Sequence, residues 1–206
     1  MLNKKLIKTL SAVALAGVLA LTPITAYATT TQQAPAAPAA PAAPATNTVV
    51  AADGTKIVSQ IPGQYSTKSV GGAAIMTDKV SFAAAVGATG KDTVNVKVVD
   101  TQCGPMAKQS IQHGIAALAA AGVNAKEVAG LDLLAFVNNK EVISAVNPYL
   151  FTVALPKAEL NSGAQYGILL IQRGGIVTFF ADLDGGANTV TCNLTGFGVA
   201  CLVRIG

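Results

Sequence analysis

The 206 residues include no Trp, one His and three Cys. Aromatic residues make up 5% of the chain and charged residues 12%. Each scarcity removes a class of protein. With 51% hydrophobic residues and so little charge, a charge-rich disordered chain is excluded. A metal centre or cofactor site built from several His and Cys lacks its ligands, so no cofactor is expected. Only one apolar run, near the N-terminus, approaches the length of a membrane span, which excludes a polytopic membrane protein. No Cys precedes Cys103, and no LPxTG-type signal is found, so neither a lipid anchor nor a sorting anchor is expected.

What is present begins with an address. Residues 1–28 place Lys4, Lys5 and Lys8 before an apolar stretch from Leu10 to Leu21. Pro23 breaks that stretch, and Ala26-Tyr27-Ala28 is a small-x-small cleavage site. This is the three-part layout of a secretory signal peptide, with cleavage expected after Ala28. Cleavage removes three of the 14 basic groups, leaving 11 against 10 acidic ones. The net charge of +4 thus falls to +1, and no basic patch is left to indicate nucleic-acid binding. The product is expected to be secreted, extracellular or loosely associated with the cell envelope, with no membrane contact after cleavage.

Residues 29–47 follow as a Pro/Ala spacer. Pro35, Pro38, Pro41 and Pro44 recur every third residue with Ala between them. Each Pro fixes φ and removes an amide donor, which favours a disordered or polyproline II linker over a helix. Stalk and tolerated tail are equally compatible with that composition.

Residues 48–206 are long enough for one domain with a real core. Short strands are predicted at 49–51, 56–59, 66–70 and 73–77. Asp78 is placed to cap a helix over 79–86, ended by Gly87. A strand follows at 93–99. Pro105 and Gly122 bracket the clearest helix, 105–121, with Ile111, Ile115 and Leu118 on its buried stripe. From there the pattern predicts strands at 127–137, 141–144, 150–155, 165–172, 176–181, 189–194 and 199–205. Arg173-Gly174-Gly175, Asp184-Gly185-Gly186 and Thr195-Gly196-Phe197-Gly198 read as the connections between the last of these. The expectation is a mainly β, α+β domain: a β-sandwich-like, mostly antiparallel fold with one or two helices.

The C-terminal run GGIVTFFADLDGGANTVTCNLTGFGVACLVRIG carries a resemblance. Through Gly174, Gly175, Val177, Thr178, Asp182, Asp184, Asn188, Thr189, Val190, Thr191, Thr195, Gly196 and Ala200 it resembles the closing hairpins of small secreted proteins of unknown function from anaerobic Gram-positive bacteria. Related patterns close β-sandwich modules of bacterial surface proteins. The resemblance covers about half of the chain after Ala28 and implies an exported β-rich module, with no activity attached. Cys192 and Cys201 stand where that pattern has aromatic residues. If Gly196-Phe197 is a two-residue turn, the two face each other at a non-hydrogen-bonded site. Two outcomes stay open there, a cross-strand disulfide or two buried thiols.

Three further groups bear on chemistry. Cys103-Gly104-Pro105-Met106 looks like the CGPC motif of thioredoxins with the second Cys replaced by Met106. A thiol at a helix N-terminus is acidified, so Cys103 is the candidate reactive thiol. His113 lies ten residues along the same helix, roughly 15 Å away by the helical rise, too far for a catalytic dyad. Asp182-Leu183-Asp184-Gly185 reads as a turn, not a calcium loop. Phe179-Phe180 points to opposite sheet faces, and one ring is a weak candidate for a sugar platform. The reading is therefore a non-catalytic exported module whose partner is a protein or glycan of the envelope or of a host surface. The alternative is a secreted thiol-dependent enzyme or redox protein using Cys103.

Overall fold

A computed structural model describes residues 47–101, 104–185 and 188–206. Among these residues lie twelve strands: β1 Thr48–Val50, β2 Lys56–Val58, β3 Gly63–Ser66, β4 Gly72–Ile75, β5 Val94–Asp100, β6 Ala125–Val137, β7 Lys140–Val142, β8 Ser144–Ala154, β9 Gln165–Gln172, β10 Val177–Ala181, β11 Thr189–Gly196 and β12 Gly198–Ile205. Two α-helices join them, α1 Lys79–Ala85 and α2 Pro105–Ala120.

Ten of the strands form two facing sheets, and β1 and β2 pair as a separate two-stranded one. The larger runs β10-β9-β12-β6-β5-β3, with β7 paired to the end of β6. The smaller runs β11-β8-β4. All pairings are antiparallel except β3 with β5. A mainly β, sandwich-like α+β fold is thus the architecture expected from the sequence.

The core follows from alternation along the strands. Val96, Val98, Leu131, Leu133, Ile168 and Leu170 face the smaller sheet, which answers with Ile75, Tyr149, Phe151, Val190 and Leu194. Helix α1 adds Phe82 and Ala85 to this core. The residues between these on the larger sheet point outward and meet α2. Leu169, Ile171, Val177 and Val203 pack there against Ile111 and Leu118. Mid-helix Gly114 lets the helix settle, since a Cβ there would lie 2.9 Å from the Val177 methyl and 3.3 Å from Leu169. On the far side, β1 and β2 cover the smaller sheet through Val49, Ala74 and Ala154. None of the helices among the described residues is long and apolar enough to cross a membrane.

The helix ends match their chemistry. Asp78 Oδ1 accepts from the Val80 and Ser81 amides at 2.9 and 3.0 Å. Pro105 opens α2, and Gly122 behind it has φ +79°. The β6–β7 turn uses Asn138 and Asn139, both at positive φ, as a tight hairpin requires. Two boundaries differ from expectation. The strand predicted at 66–70 lies at Gly63–Ser66, where it pairs parallel with β5. Strand β8 starts at Ser144 and runs through Pro148, because the register shift between Leu194 and Gly196 leaves that stretch without a ladder partner.

The largest correction concerns the end of the chain. Strands β11 and β12 do not form a hairpin. Cys192 pairs with Phe151 in the smaller sheet, while Cys201 pairs with Gly130 and Leu169 in the larger one. Only Phe197 separates the two strands, and there the chain crosses between sheets. Gly198 has φ +149°, and a Cβ on it would overlap the Ile171 carbonyl. Phe197 is buried in the core, stacked on Tyr149 at 5.1 Å between centroids and edge-on to Phe82 at 6.3 Å. The Tyr149 hydroxyl donates to the Gly196 carbonyl at 2.8 Å. Burying a Phe is worth roughly 2–3 kcal/mol, which a solvent-exposed turn would forgo.

Candidate functional site

The most concentrated polar chemistry lies where the chain leaves β10 and enters β11. Asp182 and Asp184 flank this corner of the sandwich. Asp182 Oδ1 accepts from the Thr191 amide at 2.9 Å. Asp184 Oδ2 accepts from the Thr191 hydroxyl at 2.7 Å. Thr191 Oγ lies 2.9 Å from the hydroxyl of buried Thr152, whose oxygen also lies 2.7 Å from the Met76 sulfur, an acceptor only. The Leu183 amide donates to the Thr191 carbonyl at 2.8 Å. Across the connection, Asn188 Oδ1 accepts from the Asn161 amide at 2.8 Å, and the Asn188 carbonyl accepts from the Leu155 amide.

Burial pushes the Asp182 carboxyl up, and the neighbouring Asp184 charge pushes it further, against the pull of the Thr191 amide. It titrates at about 7. Chemically the pair is a clasp on Thr191. Its oxygens are used to hold Thr191, and no cluster of three or more potential metal ligands occurs among the described residues. Residues 182–185 form an irregular connection with a bend at Leu183 and Asp184.

The other candidates fall as follows. Cys192 lies in the core between the sheets, its Sγ 3.5 Å from the Phe180 and Ala181 carbonyls. Burial, then the charges of Asp182 and Asp184, push its pKa upward, so it stays a protonated and unreactive thiol. Cys201 lies on the opposite face of the larger sheet, in the core beneath α2. Both cysteines are thiols, not a disulfide. A bridge is barred because the sheet itself stands between the side chains. His113 is on the exposed side of α2. Ala28 and Cys103 lie outside the described residues. Phe179 packs towards α2 and Phe180 towards the main core, so each ring serves a different layer.

Sequence reasoning placed the two aspartates in a turn but missed their shared partner, Thr191. The available signal was the spacing, since both acids fall shortly before the alternating run that begins at Thr189. Comparison of the chain with protein-family models, with curated proteins and with solved structures returns no match. The fold and the corner define a class, a two-sheet β domain with one helix on its outer face.

Proposed function

We propose that this chain is an exported, non-catalytic module of the bacterial cell envelope or medium that acts by binding or as a structural component, through protein or glycan contacts. The observation that carries the reading is the order of parts. A signal-like segment over 1–28 and a Pro/Ala spacer over 29–47 lead directly into β1, the outer layer of the folded part. A spacer at that point sets the domain away from whatever holds the N-terminal side. The corner aspartates support the same reading, because their oxygens hold the protein's own Thr191. The inert character of Cys192 does so too.

The test is capture with the protein from envelope and host-surface extracts, against a control carrying residues 29–47 alone. Retention of one defined envelope or host component by the folded part only is the expected result. Retention by the spacer alone contradicts it. Thiol reactivity separates the alternative. Rapid alkylation of Cys103 at mildly acidic pH supports a thiol-dependent enzyme, and slow alkylation supports the module.

A further inference from the structure

We propose that the outer edge of β10 is a self-association surface, on which a second copy of this chain lays its own β10 antiparallel about a two-fold axis at Thr178. Strand β10 is the last strand of the larger sheet. The Gln172 amide donates to the Ile176 carbonyl and the Asp182 amide to the Tyr166 carbonyl. Residues 176, 178, 180 and 182 therefore turn their backbone groups towards β9. Val177, Phe179 and Ala181 turn theirs to the outer edge. The Ala181 carbonyl receives the Cys192 thiol at 3.5 Å, which leaves Val177 and Phe179. Two outward-facing residues two apart match a two-fold ladder. Val177 of each copy meets Phe179 of the other, and the two N–H and two C=O groups on each side are satisfied.

The outer strands β11, β4 and β3 are blunted in ways that β10 is not. On β11 the Thr191 amide and carbonyl are already taken by Asp182 and Leu183. On β4 the Thr48 carbonyl lies so close to Gly72 that a Cβ there would overlap it. Strand β3 is four residues long and follows Pro62. Strand β10 reads Val-Thr-Phe-Phe-Ala, without charge, Pro or register shift. A strand of this kind is a template for pairing unless something covers it.

Charge and shape select a second copy as the occupant. Arg173, with a side chain 66% exposed, precedes β10, and Asp182 and Asp184 follow it. An antiparallel two-fold at Thr178 places the Arg173–Gly175 turn at the end of the second copy's β10, where Asp182 and Asp184 follow. The same register sets Ile176, 58% exposed, opposite Phe180 of the second copy. A parallel arrangement would oppose like charges instead. Arg173 keeps donors for this contact beyond its one bond to Glu141 at 2.9 Å.

Light scattering on the protein, purified in the form its expressing cells produce, tests the proposal from micromolar to sub-millimolar concentration. A dimer is expected, with Thr178→Lys monomeric, because it sets two ammonium groups together on the axis. Arg173→Glu is the second variant, and it should weaken the dimer about tenfold. Should Thr178→Lys not fold, Arg173→Glu decides alone. A protein monomeric throughout overturns the proposal, whether the edge then stands open or is covered by residues 1–46. So does a dimer indifferent to the variants.

Discussion

Asp182 is held between a buried Thr ladder and a second carboxylate, and its proton is tied to the fold. In the unfolded chain an Asp titrates near ~4. In the folded protein burial, reinforced by Asp184, moves it to about 7. The folded state therefore binds the proton more tightly between these values. Its stabilising contribution is complete below the unfolded value and is lost as pH rises through the folded one. Asp182→Asn should remove this fall. Thermal melts at about pH 8 should find it more stable than the parent by roughly 1–2 kcal/mol, after allowance for partial exposure. Asp100 acts with the opposite sign. Burial works against its ionisation, but the Ser69 hydroxyl and then the Ser69 and Lys68 amides outweigh it and hold the carboxyl below its ordinary value. Stability from Asp100 is present at neutral pH and lost as pH falls through that lowered value. At the same scale, Cys192 and Cys201 should resist alkylation in the native protein. Both should react in denaturant without reductant, and an intact-mass measurement that found them oxidised would overturn the crossover geometry.

The Gly196-Phe197-Gly198 crossover is the element on which the closing strands depend. Gly198→Ala would combine an unfavourable φ with a methyl driven into the Ile171 carbonyl, and should cost at least ~3 kcal/mol in denaturant titration. Phe197→Ala should cost about 3–5 kcal/mol by opening the Tyr149–Phe82 cluster. Alanine at Gly114 gains helix propensity but meets the stiff Val177 side chain, and the crowding should win by roughly 1 kcal/mol. These positions also mark what could be read in advance. Most strands and both helices were legible, because alternation and capping are local signals: Asp78, Pro105 and Gly122 stand where they cap or bound the helices. The crossover was not. Thr-Gly-Phe-Gly spells a hairpin turn locally, and only the presence of Tyr149 and Phe82, far away in the chain, makes burial of the Phe the better outcome. The corner site was half legible for the same reason. The Asp-x-Asp turn is local, while the Thr191–Thr152 hydroxyl pair joins residues 39 apart. Asp182, Asp184, Asn188 and Thr191 all belong to this corner, where the chain passes from the larger sheet to the smaller.

At the scale of the whole molecule, the segments proposed for export and spacing precede the folded part in the chain. The small charge of the folded part, the thiols enclosed in two separate cores and the uncharged β10 edge suit a protein that works by contact. The dimer proposed at β10 can fail while the module reading stands, since the two rest on different residues. The most direct measurement is the intact mass of the protein recovered from an expressing Gram-positive culture, separated into cells, envelope and medium. The expected result is a chain beginning at Thr29, in the envelope or medium, with all three cysteines recovered as thiols. A chain that stays inside the cells and keeps residues 1–28 would contradict export, and with it the proposed function.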